Sequence, residues 1–387
     1  MNKAISQLST CAFLFCTLAG VALGQTVAIA PAPEPREQSE NPGPAIDVAL
    51  ALDTSGSMKS LTNAARLKLW EIVQELTLME PAPTLRVALL SYGRKDQREA
   101  GWVRVETGLT TDLDLVSERL FALDSEGGAE YVARVLQAAI EGLAWTDSDD
   151  ALKLIFVAGN ESADQDPQVD FHDISHAAWR EGIFVHAIFC GDPAHEQAGT
   201  WKELAELAQG QFAAIDHRAG TVDIESPADA ELATLSAAIN ETFLPLGEEG
   251  ARRRESLLRQ DENAQQLSPA AAASRALVKA SPLYSAGWDL IDALAAERVD
   301  LYALEDSELP DSLREMSSSE LELHIYETRL KREELRRRIV ELGDERRQYV
   351  AEQMKAKGLD DSRAFDTAVR RALRERLEEK GFQSPER

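Results

Sequence analysis

The chain has 387 residues, too many for one ordinary domain and enough for two that each bury a core. Its 67 acidic against 41 basic residues leave a formal charge of −26, which argues against nucleic acid or an anionic membrane surface as a partner. Divalent cations and basic protein partners remain compatible with that surface.

The first segment reads as an address. Lys3 precedes an apolar stretch from Ala12 to Leu23, and Ala22-Leu23-Gly24 supplies small residues for a signal peptidase. We therefore expect a signal peptide over residues 1–24, cleaved before Gln25, and an exported protein, periplasmic or alternatively extracellular. An uncleaved anchor is the other reading. Cys11 and Cys16 lie before or within the apolar run, which excludes lipoprotein spacing. Cleavage would leave Cys190 alone, so a disulfide within the mature chain and a cysteine-rich zinc site are both excluded. No later segment reaches the ~18 apolar residues that span a bilayer. Residues 25–44, with Pro31, Pro33, Pro35, Pro42 and Pro44, read as an extended tether.

From Ile46 to Leu52 the sequence is apolar except for Asp47, the pattern of a strand buried on both faces. Leu67, Trp70, Ile72, Val73 and Leu76 follow at helical spacing. Leu85–Tyr92 and Trp102–Glu106 read as the next two strands. The link between them is too short for a helical crossover, so they should pair antiparallel. Helices fit Leu113–Leu123 and Tyr131–Leu143, a strand fits Leu152–Val157, and a helix covers Ile174–Arg180. Strand Phe184–Phe189, helix Trp201–Ala208, strand Gln211–Ile215 and helix Ala228–Phe243 complete the unit. Ser226-Pro227-Ala228-Asp229 suits a capping box with proline at the first helical position.

This alternation predicts an α/β domain over residues 45–246, a doubly wound, mostly parallel, six-stranded sheet. Ligands of such sheets bind beyond the carboxyl ends of the strands. Residues 247–387 are charged and helix-favouring, an all-α, partly coiled-coil-like region. Leu321, Ile325, Leu335, Ile339, Leu342 and Tyr349 approach a heptad stripe, with Ser317 and Glu320 as its cap. Thr328, Arg332 and Arg346 interrupt it. A helical hairpin folding against Trp288, Leu290 and Ile291 fits the pattern equally well.

Directly after the first strand stands Asp53-Thr54-Ser55-Gly56-Ser57. One carboxylate and two hydroxyls at alternate positions can converge on a hard, oxygen-seeking cation, Mg²⁺ or Mn²⁺. The plainer reading is a helix cap. With its strand, with Thr110-Thr111-Asp112-Leu113 before the next helix, and with Gly127-Gly128 before the following one, the segment resembles a von Willebrand factor type A domain. The resemblance covers roughly residues 45–245. It implies a metal-ion-dependent adhesion site opened by D-x-S-x-S and completed by a threonine and an aspartate on two further loops. This chain departs at both loops. The threonine position falls on Glu130 or Ala129, and the Thr-Asp-Gly position reads Ala158-Gly159-Asn160. We expect Asp53, Ser55, Ser57 and Glu130 as metal ligands, with Asn160 and Glu161 as alternatives. Thr54, Met58 and Gly127–Ala129 are expected to form the rim. The whole chain also resembles a group of bacterial exported proteins with a charged helical tail, which lends no function.

Other signals carry less. His172 and His176 lie four apart without a third ligand, and Cys190 with His195 suggests buried packing rather than a thiol–histidine pair. Arg336-Arg337-Arg338 alternates with acids as a solvated face. The sequence thus reads as a protein-binding scaffold or adaptor and not an enzyme. One alternative is an oligomerising protein that self-associates through its helical tail with a vestigial metal site. A metal-assisted hydrolase using Glu130 or Glu161 as base is the weakest.

Overall fold

The computed structural model describes residues 45–59, 83–215, 224–284, 286–358 and 365–379, together with Thr62, Arg66, Trp70, Val73 and Leu76. The expected signal peptide, the tether, and Leu67 and Ile72 lie outside the described residues.

Six strands form one sheet: β1 (Ala45–Asp53), β2 (Thr84–Tyr92), β3 (Val103–Thr110), β4 (Leu152–Gly159), β5 (Ile183–Phe189) and β6 (Phe212–Ala214), in the order β3-β2-β1-β4-β5-β6. All neighbours are parallel except β2 and β3, the pair whose short link forbids a crossover. β3 starts after Gly101 and Trp102, both left-handed (φ 75° and 68°), and runs four residues further than its apolar run indicates.

β1 alternates between two cores. Ile46, Val48, Leu50 and Leu52 face one side with Trp70, Val73, Leu76 and helix α1 (Leu113–Ala122). Ala49 and Ala51 face the other, toward α2 (Val132–Gly142), α3 (Phe171–Arg180) and α4 (Ala198–Leu207). Asp47 is fully buried, and Arg86 (2.8 and 2.6 Å) and the Thr146 amide (2.7 Å) hold its carboxylate. At α5 (Asp229–Asn240) half of the expected capping box forms: Asp229 accepts from the Ser226 amide (3.0 Å), while Ser226 Oγ accepts from Ala228.

The C-terminal region comprises α6 (Gly247–Leu267), α7 (Pro269–Ala280), α8 (Leu290–Ala295), α9 (Ser318–Lys357) and α10 (Phe365–Glu379). It shares the first core: Leu257, Val278 and Tyr284 join it, as do Ala372, Leu373 and Leu377 of α10. The stripe on α9 is used within the chain. Leu321 and Ile325 pack on Leu290 and Ile291, and Leu335, Ile339 and Leu342 pack on α5 and α7. Ser317 caps α9 with Glu320 as a capping box. The two arginines that interrupt the stripe are anchors. Arg332 bonds Asp289 (2.7 and 3.0 Å), Asp292 (3.0 Å) and Thr242 Oγ1 (3.0 Å), and Arg346 bonds Asp229 (2.8 Å). Among the described residues, no helix is long and apolar enough to cross a membrane.

Candidate metal-binding site at the strand ends

Because β1, β2, β4 and β5 are parallel, Asp53, Tyr92, Gly159 and Phe189 end at one edge of the sheet. The chain turns sharply after Asp53. The Thr54 amide (2.8 Å) and hydroxyl (2.9 Å) both donate to the Tyr92 carbonyl, which draws Thr54 inward. The Ser55 amide then donates to Asp53 Oδ1 (2.7 Å). Ser55 Oγ lies 3.2 Å from Ser57 Oγ, and Ser57 Oγ lies 3.4 Å from Asn160 Oδ1, across to the loop after β4.

Glu130 comes from the loop before α2 and stands beside Asp53 and Ser55. Its approach depends on Gly93 at the end of β2, whose φ of 90° favours glycine. A Cβ there would lie 2.9 Å from Asp53 Oδ1 and 3.4 Å from Glu130 Cγ. Gly128 permits the matching backbone approach, since a Cβ would lie 2.8 Å from the Arg94 carbonyl carbon.

The electrostatics are unusual. Asp53 is completely buried, and its Oδ2 and Glu130 Oε2 are both buried without a hydrogen-bond donor. Burial, and then the Glu130 charge, pushes the Asp53 carboxyl well above its ordinary range. Burial likewise raises Glu130, with Glu161 adding to the effect, while hydrogen bonding to Asp53 and Ser55 pulls it back. Two desolvated acidic groups with donor-free oxygens require a cation or a proton between them. The two orphaned oxygens and the hydroxyls of Ser55 and Ser57 are a hard-oxygen set that fits Mg²⁺ or Mn²⁺. These residues would hold the ion, which would supply positive charge and open coordination positions. Among the described residues, no group of three or more His, Cys, Asp and Glu is arranged as a metal site.

Asp53, Ser55, Ser57 and Glu130 thus come together, and Asn160 joins through Ser57. Glu161 does not. Its Oε2 accepts from Gln197 (2.8 Å) and Gln165 (3.1 Å), and its carbonyl accepts from Trp201 Nε1 (2.6 Å). The rim also differs from expectation, because Thr54 and Met58 are fully buried. Met58 belongs to the apolar core, and the exposed rim is Gly56, Ser57 and Gly127.

Tyr92 is the site residue that sequence reasoning overlooks. Its hydroxyl donates to the Ala158 carbonyl (3.0 Å), and a Cβ on Gly159 would lie 2.5 Å from that hydroxyl and 3.3 Å from Asp53 Oδ2. The Tyr92 phenol therefore fills the space in which a side chain at Gly159 would stand. The available signal was a tyrosine closing an apolar strand directly before glycine.

The discounted groups have other partners. Exposed His172 uses both ring nitrogens, toward Asp170 (2.7 Å) and Glu203 (3.2 Å), and His176 Nδ1 bonds the His172 carbonyl (2.9 Å). His195 Nδ1 accepts from the Gln197 amide (3.4 Å), whereas Cys190 is buried with its thiol pKa pushed up, chiefly by burial. They form no thiol–imidazole pair.

Residues 47–221 match the family model of the von Willebrand factor type A domain. No curated protein matches the chain. Solved structures similar to it include proximal thread matrix protein 1 from the mussel byssus, at 14% identity and a TM-score of 0.35, covering 44% of this chain and 41% of that one. The chain thus spans less than half of that protein's length. A second structure of the byssus protein has a zinc-occupied MIDAS motif, at 14% identity and TM-score 0.35, covering 44% and 42%. An aerotolerance-related membrane protein from Bacteroides fragilis is 15% identical with a TM-score of 0.32, covering 44% of this chain and 92% of that one.

Proposed function

Given that residues 47–221 form a von Willebrand factor type A domain, we propose that this chain is an exported protein-binding scaffold or adaptor, not an enzyme. Its strand-end loops hold one Mg²⁺ or Mn²⁺ through Asp53, Ser55, Ser57 and Glu130 and present it to a partner. The carrying observation is the pair of buried carboxylate oxygens, Asp53 Oδ2 and Glu130 Oε2, that no donor among the described residues satisfies. A bound cation relieves that desolvated pair and links the first loop to α2, so the loop set becomes rigid when loaded. Export rests on the leader-like composition of residues 1–24, with the periplasm as the compartment.

The test is isothermal titration of Mg²⁺ and Mn²⁺ into the chain beginning at Gln25, next to Asp53→Ala. Binding to the first and none to the variant supports the site. No binding to either removes the metal-dependent reading.

A specific feature favours a second reading, self-association through the tail. Leu323, Tyr326 and Leu330 form an exposed stripe on the outer face of α9, at 56, 56 and 45% exposure. Truncation at Gly247 is a poor test, because the tail contributes to the core of the head. Sedimentation of a Leu323→Lys, Leu330→Lys variant is suitable. Unchanged mass against the parent chain excludes association through that stripe.

A further inference from the structure

The charges around the strand-end site indicate what its open side accepts. Asp53 and Glu130 are both in contact at the site, so a bound divalent cation is already matched by two carboxylates. Glu161 lies outside the donor set but near enough for its charge to act on Glu130, and Gln165 and Gln197 hold its carboxylate. Arg94 is engaged elsewhere: its guanidinium bonds Asp96 (2.9 Å) and the Asp124 carbonyl (2.9 Å) and lies near the Glu126 charge. An anion arriving at a loaded site would meet a centre already matched by Asp53 and Glu130, with the charge of Glu161 close by.

Side-chain packing reinforces this. A side chain at Gly159 would collide with the Tyr92 hydroxyl, so the end of β4 does not provide a carboxylate from that position in place of Glu130. Glu130 is therefore the second charged group of the site, where a hydroxyl of the same reach would leave the cation with excess positive charge.

Resting on the metal-binding reading above, we propose that the loaded site excludes carboxylates and takes an uncharged oxygen donor from its partner: a side-chain amide, a hydroxyl or a backbone carbonyl. Glu130 sets this choice and Glu161 supports it. An uncharged oxygen would add no negative charge where Asp53 and Glu130 would already supply two carboxylates, whereas a carboxylate would add a third at a buried centre.

The test uses Mn²⁺-loaded protein and water-proton relaxation, which reports water on the bound ion, with acetate and acetamide as probes at equal concentrations. In the parent chain acetamide should displace metal-bound water at least as readily as acetate. In Glu130→Gln acetate should bind at least about tenfold better than in the parent, and Glu161→Gln should move it the same way by less. Acetate displacing water as readily from the parent as from Glu130→Gln overturns the assignment of ligand class while leaving the metal site standing. Failure of the parent chain to hold Mn²⁺ overturns both. Should Glu130→Gln lose Mn²⁺, Glu161→Gln carries the comparison, and an unchanged acetate affinity there also overturns it.

Discussion

Two regions of this molecule bury charge, and they handle it in opposite ways. In the helical region the buried cations have buried anions. Arg275 lies between Asp114 (2.6 Å) and Asp261 (2.8 Å), with Lys279 also on Asp261; Arg332 lies on Asp289, and Arg346 on Asp229. These pairs join helices distant in sequence. Asp114 belongs to the head, and Arg275 also covers the Trp70 ring at 4.4 Å. At the strand ends, Asp53 and Glu130 are desolvated together with no cation among the described residues. The first arrangement is complete by itself and fixes the register of packing. The second leaves two acids uncompensated, which is what distinguishes a candidate binding site from a structural network.

Breaking one member of each should give opposite signs. Arg275→Ala leaves Asp114 and Asp261 buried without their shared guanidinium, so unfolding in urea should show a loss of about 3–5 kcal/mol. Asp53→Asn removes one of two uncompensated acids, and without metal it should be neutral or stabilising by about 1–3 kcal/mol. The same variant should lose any rise in melting temperature with Mg²⁺. If both variants destabilise the metal-free protein equally, the contrast between the regions fails.

A third variant sharpens the role of Tyr92. Gly159→Asp forces a Cβ to 2.5 Å from the Tyr92 hydroxyl and should cost about 1–3 kcal/mol. Adding Tyr92→Phe removes that hydroxyl and should recover part of the loss, a coupling readable in a double-mutant cycle. Strict additivity would show that the phenol is not what excludes a side chain there.

The smallest effect per step concerns His186, under α10. Burial, and then the charge of Arg376, lowers its pKa to about 3. In the unfolded chain it protonates near the ordinary histidine value of about 6.5, while the folded chain stays neutral. Its contribution is therefore fully present above about pH 6.5 and is lost as the pH falls from there toward 3. The slope is at most about 1.4 kcal/mol per pH unit. His186→Gln should flatten that part of the stability–pH curve, measured by urea unfolding between pH 4 and 7. An unchanged slope would place its origin in other groups.

Much of the fold follows from local pattern. The apolar run Ile46–Leu52 is long enough to commit to a strand buried on both faces, and the short link between β2 and β3 forces their antiparallel pairing. The spacing of Asp53, Ser55 and Ser57 is likewise local, which is why these ligand candidates could be read along the chain. Long-range contacts could not. Asp47 reads as a blemish in an apolar strand, yet Arg86 and the Thr146 amide compensate it from other elements. Thr54 and Met58, taken as rim, turn inward because the Tyr92 carbonyl captures Thr54 and the core takes Met58.

The sequence by itself determined the order of strands and helices, the antiparallel exception, and the three oxygen donors after the first strand, because each depends on residues a few positions apart. Only the tertiary structure decided that Glu130 meets Asp53, that Tyr92 fills the space beside Gly159, and that Arg332 and Arg346 anchor α9. Those outcomes depend on which charges share one desolvated volume. Burial turns an arginine from an interruption of an apolar stripe into its anchor when a carboxylate faces it, and turns two acids into a candidate cation site when none of the described groups offsets them.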